Sequence, residues 1–144
     1  MPSLLAHTAL LVDDYDSAIT YFTQVLRFVL LQDTPLAPGK RWVVVAPSHE
    51  GGALLLALAT NAEQRALVGR QGAGRVWLFL HTDNLAADMA HMLAHGVRFT
   101  ETPRHESFGS VVVFADRWGN LWDLIEPIKA ITPMQSAQAP AAQP

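Results

Sequence analysis

Cysteine is absent from the 144 residues, which excludes disulfides, thiolate nucleophiles and thiolate metal sites. Any metal would have to be held by His, Asp or Glu. Charge is scarce as well: ten Lys and Arg stand against thirteen Asp and Glu, only 16% of the chain, and leave a formal net charge of −3. The basic residues are scattered, so neither nucleic acid nor an anionic membrane surface gains an electrostatic hold. No apolar run approaches the ~18 residues of a membrane span, and no basic segment followed by an apolar one opens the chain. The expectation is a cytoplasmic protein without nucleic-acid or membrane partners. Half of the residues are hydrophobic and the mean hydropathy is +0.17, which gives a core-rich chain of the size of one domain, or of two halves sharing a core.

The pattern inside that chain repeats. Leu4 to Val12 reads as a buried strand, and Asp13-Asp14 supplies a helix cap whose carboxylate accepts from free backbone amides. Ala18, Tyr21, Phe22, Val25 and Leu26 then form one apolar stripe at helical period. Arg27 to Asp33, Arg41 to Ala46 and Ala53 to Ala59 read as strands, with Pro35 and Pro38-Gly39 as the first turn. Asn61 to Val68 suggests a short connecting helix, ended by the glycines of GRQGAG. The order recurs with a strand at Val76 to Thr82, a cap at Asp83/Asn84, a helix closed by Gly96, and strands near Arg98-Phe99, Ser110 to Ala115 and Leu121 to Glu126. The expected organisation is one domain over 1–127, made of modules 4–60 and 75–127 linked by 61–74. An Ala/Gln/Pro-rich tail, 128–144, is too poor in periodic apolar residues to offset its ordering entropy.

Two β-α-β-β-β modules, a His at the head of the first strand, a capped helix after each first strand, and the D-x-x-G-N turn Asp116 to Asn120 before a last strand resemble the vicinal oxygen chelate superfamily, the glyoxalase, bleomycin-resistance and extradiol-dioxygenase group. The resemblance implies an α+β fold of two curved mixed sheets around a cavity, each with a helix on its convex side, and a homodimer as the expected assembly. It also implies a divalent ion, Mn, Fe, Ni or Zn, on His7 and Glu126, with Glu126 doubling as the catalytic carboxylate. The other two ligand positions of the family fall on Trp77 and on Leu58 or Ala59, which cannot bind a metal. The ligand set is therefore incomplete, since catalytic sites normally have three protein donors.

Three expectations about function follow. One is a metal-dependent lyase, isomerase or dioxygenase with a degenerate site, the reading that the resemblance favours. Another is a metal-free protein of the bleomycin-resistance type that sequesters a drug or metabolite. The third is an interaction dimer with a filled cavity. In the ligand-binding readings Trp77, Phe79 and Trp122 line the cavity and stack on a flat molecule, while Arg75 and Arg104 are positioned to meet a substrate carboxylate. The bland alternatives are core packing for the aromatics and a solvated hairpin for Pro103 to Gly109, where an Arg/Glu pair is worth little. His81 sits four residues along its strand from Trp77, ~13 Å away and too far to replace a ligand there. His91 and His95 lack a third donor, and Gly119 and Asp116 read as structural.

Overall fold

The computed structural model describes residues 2–128 of the chain. The expectations for the Ala/Gln/Pro tail lie outside the described residues, apart from its first residue, Ile128.

The first module runs β1 (His7–Val12), α1 (Tyr15–Thr20), a π-helical turn (Tyr21–Val25), β2 (Val29–Ala37), β3 (Lys40–Ala46) and β4 (Ala53–Leu58). After α2 (Ala62–Leu67) the second runs β5 (Val76–His81), α3 (Leu85–Ala94), β6 (Arg98–Phe99), β7 (Arg104–Glu106), β8 (Gly109–Ala115) and β9 (Leu121–Pro127). The strand orders are β1-β4-β3-β2 and β5-β9-β8-β6, with β7 also on β8. In each sheet the first and last strands of the module pair in parallel, β1 with β4 and β5 with β9, and the remaining pairs are antiparallel. The duplication is thus a duplication of topology.

The caps are those the sequence offers. Asp14 accepts from the backbone N–H of Ser17, Asn61 from Gln64 and Asn84 from Ala87, each satisfying an amide that the first helical turn leaves free. In α1 the stripe is buried through Ala18 and Phe22. The Thr23 hydroxyl donates to the Ile19 carbonyl, and the helix widens so that the Leu26 N–H reaches Tyr21. The widened turn turns aromatic side chains toward the second sheet: Phe22 lies 5.8 Å from Trp118 and 6.3 Å from Trp122, and Phe28 lies 6.1 Å from Trp122. One apolar core, from Leu10 and Val43 to Phe114 and Leu124, therefore spans both modules.

Two segments depart from expectation. Pro35 does not end its strand, because β2 is an edge strand where a missing donor costs no ladder bond. The turn is made by Pro38-Gly39 alone, with Gly39 at φ +76°. The counterpart of β2 in the second module is split into β6 and β7 around Pro103. There the Glu101 carboxylate accepts the Val113 N–H at 3.1 Å, replacing a ladder partner. Pro103 to Gly109 forms the hairpin offered as the bland alternative, with Arg104 paired to Glu106.

The D-x-x-G-N turn closes as predicted. Asp116 is buried; its Oδ1 accepts from the backbone N–H groups of Trp118, Gly119 and Asn120, and its Oδ2 from the Asn120 and Trp122 side chains. Burial pushes its pKa up, and these donors hold it back. Gly119 sits at φ +112°, a region that side-chain-bearing residues resist. Against this turn lies the 69–75 segment, whose Gln71 side chain runs along the outer edge of β1, accepting from the Leu11 N–H at 2.8 Å and donating to the Ala9 carbonyl at 3.1 Å.

Candidate functional site

Alternation along the strands fixes which side chains share a face. In the first sheet Leu10, Val12, Val43, Val45, Leu54 and Leu56 face α1 and the core. The opposite, concave face carries His7 and Trp42, whose rings meet edge-on at 6.2 Å, together with Ala9, Leu11, Leu55 and Ala57. In the second sheet Trp122 and Leu124 are core residues, Trp122 stacking on Phe114 at 5.6 Å. The other face carries Phe79, His81, Asp123 and Ile125: Phe79 is in register with Asp123, and His81 with Ile125.

The residues singled out by sequence are distributed between these faces. His7 is exposed at the concave face of the first sheet. Glu126 shares the parity of Trp122 and Leu124, and its Oε1 accepts the backbone N–H of Leu85 at 2.7 Å, at the start of α3. It is a second cap on that helix. His7 and Glu126 therefore stand in different sheets, on faces of opposite kind. Among the described residues no group of three or more His, Asp or Glu side chains is arranged to hold an ion, so this donor set does not fit a divalent metal.

Of the proposed aromatic lining, Phe79 is 63% exposed on the concave face, whereas Trp122 is buried beneath the sheet. The register of β5 against β9 slips between Val76 and Leu78, so Trp77 is the extra residue; it packs partly buried against the core, beside Gly72. Arg75 is exposed in the turn crevice formed by residues 69–75 and 119–121, away from both concave faces. Arg104 does lie on the concave side of the second sheet, opposite Val111, but its guanidinium is taken up by Glu101 at 3.1 Å and Glu106 at 2.7 Å.

Phe79 and Trp122 do meet at one place. A crevice of about 530 Å³ runs along β5 between the two sheets, with Phe28, Leu54, Leu78, Leu80 and Trp122 as its apolar lining and Thr8, Ser48, Glu50 and His81 as polar groups at its edges. Such a volume suits a small flat molecule held mainly by apolar contact.

One residue of the concave face escaped the sequence reading. Asp123 lies beside Phe79, and its Oδ1 is closed off from solvent with no hydrogen-bond partner. Burial raises its pKa above the ordinary carboxylate range; Arg104 pulls it back and Glu101 pushes it up further. The signal was present in LWDLIE: once Trp122 and Leu124 are given to the core, Asp123 must face the other way.

This arrangement of paired modules has a recognised relation. A model of the Glyoxalase/Bleomycin resistance protein/Dioxygenase superfamily matches residues 4–124. The chain belongs to this superfamily. Within it, the chain is similar to an uncharacterized protein of Shewanella frigidimarina, 44% identical over 128 residues that cover 88% of this chain and 95% of that one. Among superfamily folds of known structure it is similar to UcmS2, with TM-score 0.74 and 27% identity over 88% of this chain and 99% of that one. It is also similar to TnmS3, an antibiotic binding protein from Streptomyces sp. CB03234, with TM-score 0.72 and 27% identity over 88% and 98% of the two chains.

Proposed function

We propose that this superfamily member is a metal-free small-molecule-binding protein that sequesters a flat, largely apolar compound in the crevice along β5. The observation that carries this reading is the crevice itself: about 530 Å³, floored by Trp122 and its apolar neighbours, with Phe79 at its border on the edge strand β5. The separation of His7 from Glu126 favours it over metal-assisted catalysis, since the donors present do not converge. The likeness to TnmS3, an antibiotic binding protein, supports small-molecule binding.

The reading includes a homodimer. Exposed Phe79 and the concave faces on which His7, Trp42 and Ile125 lie form apolar surface with little covering it in one chain, and a second copy would enclose it.

Calorimetric titration with 1-methylnaphthalene tests the proposal. Binding is expected with and without EDTA, and Phe79→Ala should weaken it about fivefold, the loss of one aromatic contact worth ~1 kcal/mol. Binding abolished by EDTA and restored by Mn²⁺ would overturn the metal-free reading.

A further inference from the structure

The chain has nine glycines, and the fold accounts for all but Gly52. Seven sit at positive φ, where a side chain is strained. Gly72 lies outside that group, but a Cβ on it would stand 2.7 Å from the Arg75 carbonyl oxygen and 2.8 Å from the Trp77 Cβ, so no side chain fits. Gly52 has neither reason: it too lies outside the positive-φ group, and a Cβ on it would meet no atom within 4 Å. The turn before it does not need this glycine either. The Ser48 hydroxyl accepts the Glu50 N–H at 3.2 Å and donates to the Glu50 carbonyl at 2.8 Å, while Gly51, at φ +87°, supplies the left-handed step. A glycine that could be replaced at no steric cost still adds chain entropy to be lost on folding. It is expected where something other than the chain comes close to the backbone.

Gly52 immediately precedes β4 and lines the crevice along β5. Alternation carries position 52 to the side of the strand that holds Leu54 and Leu56. Leu54, in register with Thr8 of β1, lines the crevice together with it, and Leu56 continues into the core. A side chain at 52 would therefore extend the wall of Thr8 and Leu54 into the opening that they share with Leu78, Leu80 and Trp122. We infer that Gly52 sets the width of the ligand site: its bare backbone admits the edge of a fused system of three or four rings, which a larger residue there would exclude. The inference deepens the sequestration reading and rests on it. At about 530 Å³ the crevice falls within the range of pockets that enclose drug-sized molecules, about 300–1,000 Å³, so a two-ring hydrocarbon leaves part of it unfilled. A broad flat ligand gains in proportion to the apolar area it covers on both walls.

The test uses two neutral probes of different breadth on the full chain, 1-methylnaphthalene and the four-ring 1-pyrenemethanol, titrated by fluorescence at neutral pH. The native protein is expected to bind 1-pyrenemethanol at least about tenfold tighter, from the additional apolar area that it buries. In Gly52→Leu that advantage should be lost while 1-methylnaphthalene stays within about threefold of its native affinity, and Gly52→Ala should lose roughly a third to a half of the advantage on a logarithmic scale. Thermal unfolding of both variants is expected within about two degrees of native, because the added atoms enter open space. If 1-methylnaphthalene binds but 1-pyrenemethanol gains nothing over it, or if the gain survives Gly52→Leu, the width assignment is overturned and the apolar site stands. A melting temperature lowered by about five degrees or more in Gly52→Ala would show that the fold itself requires the glycine, and overturns the assignment as well. If neither probe binds, both readings fall.

Discussion

Glu126 offers the sharpest division between a ligand-facing carboxylate and a structural one. Its Oε1 accepts the Leu85 N–H at 2.7 Å, beside the N-cap Asn84 of the ten-residue helix α3. Removing it by Glu126→Ala deletes a charge-assisted hydrogen bond, worth ~1.5–3 kcal/mol, and a favourable charge at a helix N-terminus, worth ~0.3–1 kcal/mol. Glu126 is only half-buried, so the lower halves of these ranges apply, and the expected loss is about 2 kcal/mol. With an m-value of ~1.5 kcal/mol/M for a domain of this size, the urea midpoint should fall by roughly 1 M. Glu126→Gln keeps an acceptor without the charge and should lose about half as much. Urea unfolding followed by far-UV circular dichroism measures both, with probe affinity measured in parallel. Affinity is expected to stay within twofold of the native protein. An unchanged midpoint accompanied by lost binding would refute the capping role and put Glu126 back in the ligand site.

Two further outcomes follow from the packing. A Cβ at Gly69 would lie 1.7 Å from the Trp118 carbonyl oxygen, at φ +79°, so Gly69→Ala should destabilise the fold by about 3 kcal/mol; a melting temperature within two degrees of native would contradict the close approach. Asp123→Asn should stabilise the ligand-free protein at pH 7 by up to ~1 kcal/mol, because the folded pKa of Asp123 is raised and its ionised form therefore costs stability. That gap should close as the pH falls through the raised value, and a gap that widens on acidification would show that the sign is reversed.

The order of the elements, the helix caps and the Asp116 turn were legible in the sequence because each rests on local chemistry: a short polar side chain at a helix start, an apolar stripe at period 3.6, a glycine at a positive φ. The faces of the last strand were not. In LWDLIE, apolar residues lie on both sides of β9, since one face packs on the core and the other floors the concave surface, and a strand apolar on both sides shows no alternation to read. The resemblance set Glu126 in the cavity together with Trp122; Trp122 does line the crevice, but Glu126 caps α3, and Asp123 on the other face drew no notice. Trp77 was misplaced by a register slip between Val76 and Leu78, which leaves no mark in composition. The hairpin over Pro103 to Gly109 was legible from its polar residues, and strand β7, Arg104, His105 and Glu106, is held by pairing to β8 rather than by burial.

The glutamine laid along β1 has its own consequence. An outermost strand invites any extended segment that can offer matching amide groups, and the first sheet ends on one that is rich in leucine and valine. Gln71 imitates such a segment with a single side-chain amide, filling the rung between Ala9 and Leu11. That edge of the sheet thereby offers fewer free amide groups to a foreign strand, which works against sideways growth from β1.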